Sequence, residues 1–98
     1  MIIKELLEQL EHSSHPVARA LLKTEHSKVL VIGFKKGMIM KEHKATLPSK
    51  LFILEGSISY KEGSLIKILH QYEETEILPN TIHSIECIAG ALCILTQG

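Results

Sequence analysis

Two histidines hold the most chemical promise in this chain. His43 follows Gly37 and precedes the apolar run Leu51–Leu54, and His83 opens an apolar run just after Pro79 and Asn80. Each is predicted at a strand edge beside a turn, where side chains project into the mouth of a barrel. A pair of imidazoles can accept and donate protons near neutral pH, hydrogen-bond a small molecule, or ligate a divalent ion. Zinc, however, takes about three protein ligands in a catalytic site and about four in a structural one. Two histidines alone bind such an ion weakly.

The other reactive side chains carry less. Ser49 as a nucleophile needs an adjacent base, itself oriented by a third group. His43 or His83 could serve as that base, but no oxyanion hole or Gly-x-Ser-x-Gly elbow accompanies it. Glu73 and Glu74 are neighbours, so on a strand they point to opposite faces and cannot work as an acid/base pair. Lys35 and Lys36 read as a solvated turn, since no glycine-rich loop leads into a helix beside them. His12, His15 and His26 fall in polar, turn-like surroundings, and Pro16 stops the first two from sharing one helical face. His70 reads as a surface residue at a strand end. Cys87 has the strand parity of His83 and so can face the same interior. Its leading reading is a small buried hydrophobe.

The elements that must position these groups are strands. Ile2–Leu10 is the exception: Ile3, Leu6, Leu7 and Leu10 recur at helical spacing, and Pro16 closes the segment. From Val17 onward the chain reads as about eight short strands punctuated by turns: Val17–Lys23, Val29–Phe34, Leu51–Leu54, Ser57–Tyr60, Leu65–His70, Glu74–Leu78, His83–Ile88 and Ala91–Thr96. Glu55 with Gly56 is predicted to turn the chain, and Ala89 with Gly90 to form a last hairpin. That hairpin would let the strands of Cys87 and Cys93 face each other, although reduced thiols are expected. The prediction is one all-β domain over 1–98, with a helix in 1–12 and an antiparallel β-barrel over 17–98.

Composition narrows the function classes. Eleven basic and eleven acidic residues cancel, which removes the electrostatic reason to expect nucleic acid or an anionic membrane as partner. Phe34, Phe52, Tyr60 and Tyr72 are the only aromatics of the Phe, Trp and Tyr type, too few for base stacking. No apolar stretch approaches the 18 or so residues of a membrane helix. The opening Met1-Ile-Ile-Lys-Glu lacks a basic segment followed by an apolar run, so a cytoplasmic protein is expected.

Spacing adds a family resemblance. Gly37, five residues, His43, and then Gly56 after Leu54 and Glu55 resemble the first motif of the cupin superfamily, which reads Gly, five residues, His, one, His, three or four, Glu, six, Gly. Leu78 to His83 resembles the second motif, in which a Pro/Gly turn leads to a third histidine. The resemblance implies a cupin-like antiparallel β-barrel (a double-stranded β-helix, or jelly roll) with a short N-terminal helix. It also implies a homodimer, which would cover strand edges that a small barrel leaves open.

The departures from the motifs bear on function. In metal-binding cupins three histidines and a glutamate converge on one ion. Here Ala45 stands at the second histidine and Ser49 at the glutamate. Tyr72 replaces the second motif's opening glycine, Leu78 its proline and Cys87 its closing asparagine. Only His43 and His83 remain as metal ligands, a weak and incomplete set that His70, Glu42, Cys87 or a partner chain would have to complete. The expectation is a small-molecule-binding protein with His43, Ala45, Ser49, His83 and Cys87 lining its pocket, and with no cofactor beyond a weakly bound divalent metal. The alternative is a metal-dependent enzyme of the isomerase or dioxygenase type. A subunit that regulates or scaffolds a larger partner is a third possibility.

Overall fold

The helix forms where the apolar spacing places it. A computed structural model describes residues 1–98, and α1 spans Ile2–Glu11. Leu6 and Leu10 are buried, whereas Leu7, expected on the same face, is 44% exposed. Gly33 makes the seat: a Cβ there would stand 2.7 Å from Leu6 Cδ2 and 3.0 Å from Leu10 Cδ2. The missing side chain lets the helix lie directly on the sheet. Arg19 fastens it further by donating to the Gln9 side-chain oxygen.

Seven strands follow: β1 (Val17–Lys23), β2 (Lys28–Phe34), β3 (Ile39–His43), β4 (Ser49–Glu62), β5 (Leu65–Leu69), β6 (Glu74–Ile77) and β7 (His83–Gln97). All pairings are antiparallel. The main path is β1-β2-β7-β4-β5, with β3 paired to β7 and β6 to β4. The long strands β4 and β7 pair from Ser49 against Gln97 to Lys61 against Ser84. Each therefore serves two walls. The first wall holds β1, β2, β6 and the halves of β4 and β7 nearest Ser49 and Gln97. The second holds β3, β5 and the other halves. Aliphatic side chains fill the space between, among them Val31, Leu51, Ile53, Ile58 and Ile85, together with Phe34 and Tyr60.

Two expected turns are bends instead. Leu51–Leu54 and Ser57–Tyr60 belong to one strand, β4, and His83–Ile88 and Ala91–Thr96 to another, β7. The strands cross from one wall to the other where the register shifts between Ile53 and Ile58. Gly56 sits there at φ 77°, and a Cβ on it would fall on the carbonyl oxygen of Gly90. Glycine permits such a bulge as readily as a reversal. With no hairpin at Ala89 and Gly90, Cys87 and Cys93 share one strand, and both are free, buried thiols. The additional strand β3 is mostly exposed, so it offered no apolar alternation to read. No helix is long and apolar enough to cross a membrane.

Candidate functional site

β3 ends at His43, β7 begins at His83, and the two residues are register partners. Their ring centroids lie 4.2 Å apart with planes tilted by 58°. His83 is 4% exposed, while His43 is open to solvent. Each ring is anchored by the backbone two residues before it. His43 Nδ1 lies 2.9 Å from the Lys41 carbonyl oxygen, and His83 Nδ1 lies 3.0 Å from that of Thr81. A carbonyl only accepts, so both Nδ1 atoms carry hydrogen. In the neutral rings Nε2 is then the free acceptor.

A third group completes the stack. The Tyr60 ring lies 5.7 Å from that of His83, at an interplanar angle of 28°. Tyr60 pairs with Ile85 across β4 and β7, which brings it within two residues of His83. Its side chain is fully buried, and its hydroxyl has no protein hydrogen-bond partner. Burial, with a smaller contribution from Glu62, pushes the phenol pKa up to about 12, so the group stays a hydrogen-bond donor. Burial holds His83 below the ordinary histidine value; the Thr81 carbonyl opposes this and the neighbouring His43 adds to it. His83 is therefore neutral at physiological pH.

The other expected residues do not gather at this stack. Ser49 starts β4, at the far end of that strand from Tyr60. Its hydroxyl donates to the Leu47 carbonyl at 3.2 Å. Ala45 lies in the β3–β4 connection, where its carbonyl accepts from the Asn80 N–H at 2.7 Å. Ser49, Ala45 and His83 line three different cavities, of about 320, 330 and 270 Å³ respectively. Cys87 shares the inward face of β7 with His83 and Ile85. Its thiol donates to the Ala89 carbonyl at 3.2 Å, and burial raises its pKa. It is thus a protonated donor rather than a thiolate ligand.

The His70 backbone is tied to the Glu73 carboxylate at 2.7 Å. Glu42 lines the same cavity as His83. Nowhere do three or more His, Cys, Asp or Glu side chains stand where they could hold a metal ion. The divalent ion implied by the cupin motifs therefore lacks a complete ligand set from this chain: Ala45 has no donor atom, and the Ser49 hydroxyl is engaged elsewhere.

Sequence reasoning did not single out Tyr60. Its signal was faint: a phenol in phase with Ile58 on an inward face. Tyr72, which stands at the position of the motif's glycine, takes φ 70°, in the left-handed region. Its N–H donates to the Ile53 carbonyl at 2.7 Å, which ties the β5–β6 connection to the bend.

An antiparallel barrel of two walls that share two long strands, with a histidine pair at one strand end, defines the class. No protein-family model matches the chain, and no curated protein matches it. Solved structures do. A cupin superfamily protein from Desulfitobacterium hafniense superposes with a TM-score of 0.82 at 14% identity, over 87% of this chain and 78% of that one. An RmlC-like cupin from Shewanella frigidimarina gives 0.80 at 20% identity, over 87% and 77%. KdgF from Halomonas sp. gives 0.76 at 10% identity, over 87% and 80%. The chain has the cupin fold, in a small form with one N-terminal helix.

Proposed function

We propose that this protein binds a small polar molecule at the His43–His83–Tyr60 stack, reaching into the barrel interior, without a resident metal. The carrying observation is the buried Tyr60 hydroxyl, which has no protein partner. A buried donor left unpaired costs about 1–3 kcal/mol. A ligand oxygen that accepts from it recovers that cost. The free Nε2 atoms accept from a ligand hydroxyl, and the exposed His43 provides the way in. The class of ligand that answers all three groups is a small hydroxylated compound carrying a carbonyl or carboxylate oxygen. Free buried thiols suit a reducing, cytoplasmic setting.

A metal-dependent enzyme of the isomerase or dioxygenase type is the second reading. One observation favours it: both Nδ1–H groups are tied to carbonyls, the arrangement that orients imidazoles toward a metal. It requires a third donor from outside this chain.

Metal content and ligand binding separate the two. The chain, purified without a chelator or affinity tag, is assayed for metal. It is then screened by thermal shift against small hydroxy acids and simple sugars. The binding reading expects substoichiometric metal, together with a hit that is lost in both Tyr60→Phe and His43→Ala while circular dichroism is unchanged. One tightly held metal per chain, lost in His43→Ala, overturns it in favour of the enzyme. A hit indifferent to both substitutions overturns the site.

A further inference from the structure

The first wall ends in positive charge on its inward side. Gly33 faces α1, so Leu30, Ile32 and Phe34, which alternate with it along β2, face the barrel interior. Lys28 falls in the same inward series and is half-buried. Its cross-strand partner on β1 is Lys23, and on β7 it is Gln97. Residues directly opposite in an antiparallel pair share a face, with Cβ atoms about 4.5–5.5 Å apart, and like charges placed so are destabilising. Lys44, in the β3–β4 connection, adds a third ammonium. A cavity of about 170 Å³ is lined by Lys23 and Lys28, and one of about 330 Å³ by Lys28, Lys44 and Gln97. Lys28 and Leu47 belong to both.

No acid of the chain neutralises this group. None of the three lysines enters an ion pair. Glu25 lines the smaller cavity, but its carboxylate stands 3.9 Å from His26 Nε2, with both side chains almost fully exposed. The carboxylate of Gly98, beside the same hairpin, pairs with none of them either. The other lysine pair differs: Lys35 donates to the Glu11 carbonyl at 3.2 Å, and Glu55 shares the cavity of Lys35 and Lys36.

We propose that Lys23, Lys28 and Lys44 form a binding site for a phosphoryl group, carried by a small phosphomonoester or by free phosphate, separate from the His43–His83–Tyr60 stack. Three ammonium groups act as point-charge donors toward three phosphoryl oxygens that together carry a charge of about −1.5 to −2. A carboxylate, with two oxygens and a single charge, leaves one ammonium unanswered. The bound oxyanion turns the repulsion between Lys23 and Lys28 into two attractive contacts. Half-burial of Lys28 strengthens its share, because the effective dielectric there is below that of water. The Gln97 side-chain amide supplies a neutral donor beside them.

Thermal shift and amide NMR on the full chain test the proposal, with inorganic phosphate and glycerol phosphate as probes and sodium chloride at matched ionic strength as control. At least one probe is expected to raise Tm above the chloride control at millimolar concentration. The shifted amides are expected to cluster around Lys23, Lys28, Lys44 and Gln97. Lys28→Gln and Lys44→Gln each weaken binding by about tenfold or more. Lys36→Gln, which removes the same charge beyond the other end of β2, leaves binding unchanged. Lys28→Leu, apolar like Leu30, keeps its circular dichroism and loses the phosphate response, which separates loss of the site from loss of the fold. A stronger response to glycerol phosphate marks a phosphomonoester as the ligand, and a stronger response to inorganic phosphate marks the free ion. No response beyond the chloride control overturns the proposal. So does a response that survives Lys28→Gln combined with Lys44→Gln, or amide shifts centred on Lys36 or His43.

Discussion

Replacing Tyr60 by Phe removes one oxygen from the core and leaves the ring stacked on His83. Two outcomes of opposite sign are available. A buried tyrosine whose hydroxyl is hydrogen-bonded loses about 0.5–1.5 kcal/mol on conversion to phenylalanine. A buried hydroxyl without a partner carries a desolvation cost of about 1–3 kcal/mol, which the substitution removes. Tyr60 is fully buried and its hydroxyl has no protein partner, so Tyr60→Phe is expected to stabilise the ligand-free protein by about 1 kcal/mol. For a domain of this length that raises Tm by about 4–8 °C. The chain has no tryptophan, so urea unfolding followed by circular dichroism is the suitable assay, read at constant m. Destabilisation by about 0.5 kcal/mol or more, within the range for a satisfied hydroxyl, would refute the reasoning. An alkaline series gives a second reading. The folded-state pKa is raised to about 12, above the unfolded value of about 10. The neutral phenol's contribution is therefore fully present below about pH 10 and is lost as pH rises toward 12. Tyr60→Phe flattens that limb. It does not abolish it, because Cys93, also raised to about 12 by burial, still titrates there.

Three further outcomes follow from particular contacts. His83 is held below the ordinary histidine pKa chiefly by burial, so the unfolded chain takes up its proton first. Stability is complete above about pH 6.5 and declines below it until the folded-state pKa is passed; His83→Gln removes that decline in urea midpoints, and an unchanged profile would show that another group causes it. Gly56→Ala places a methyl on the Gly90 carbonyl at φ 77° and is expected to cost more than about 3 kcal/mol. Gly90→Ala meets only the Phe34 carbonyl, at 3.9 Å, and is expected to cost less than about 1 kcal/mol; equal thermal shifts for the pair would sink the bend as described. Cys87 and Cys93 are buried with raised pKa values, so neither reacts with a thiol reagent such as DTNB until denaturant is added; rapid titration of either in the native protein contradicts that packing.

Much of the fold was legible because its signals are local. Apolar spacing at Ile3, Leu6 and Leu10 set the helix, and Pro16 its limit. The apolar run Leu51–Leu54 and the segment Ser57–Tyr60 marked strands, and both lie in β4. Asn80 takes φ 62°, as a turn after Pro79 suggests. At the motif's second histidine stands Ala45, whose side chain has no ligating atom in any conformation. Composition alone kept the charge near zero and the core aliphatic.

What the tertiary structure decided lies in cross-strand relations. Gly56 and Gly90 read equally well as turns or bends, and only their mutual approach makes β4 and β7 continuous. Ser49 and Ala45 match motif positions near His43, yet they open onto cavities apart from that of His83. Tyr60 reaches His83 because the register shifts between Ile53 and Ile58 bring residue 60 opposite residue 85. Periodicity along one strand tells which face a side chain takes. Its neighbour on the next strand depends on how many residues each bulge consumes, and that is settled only when both strands pair within the folded sheet.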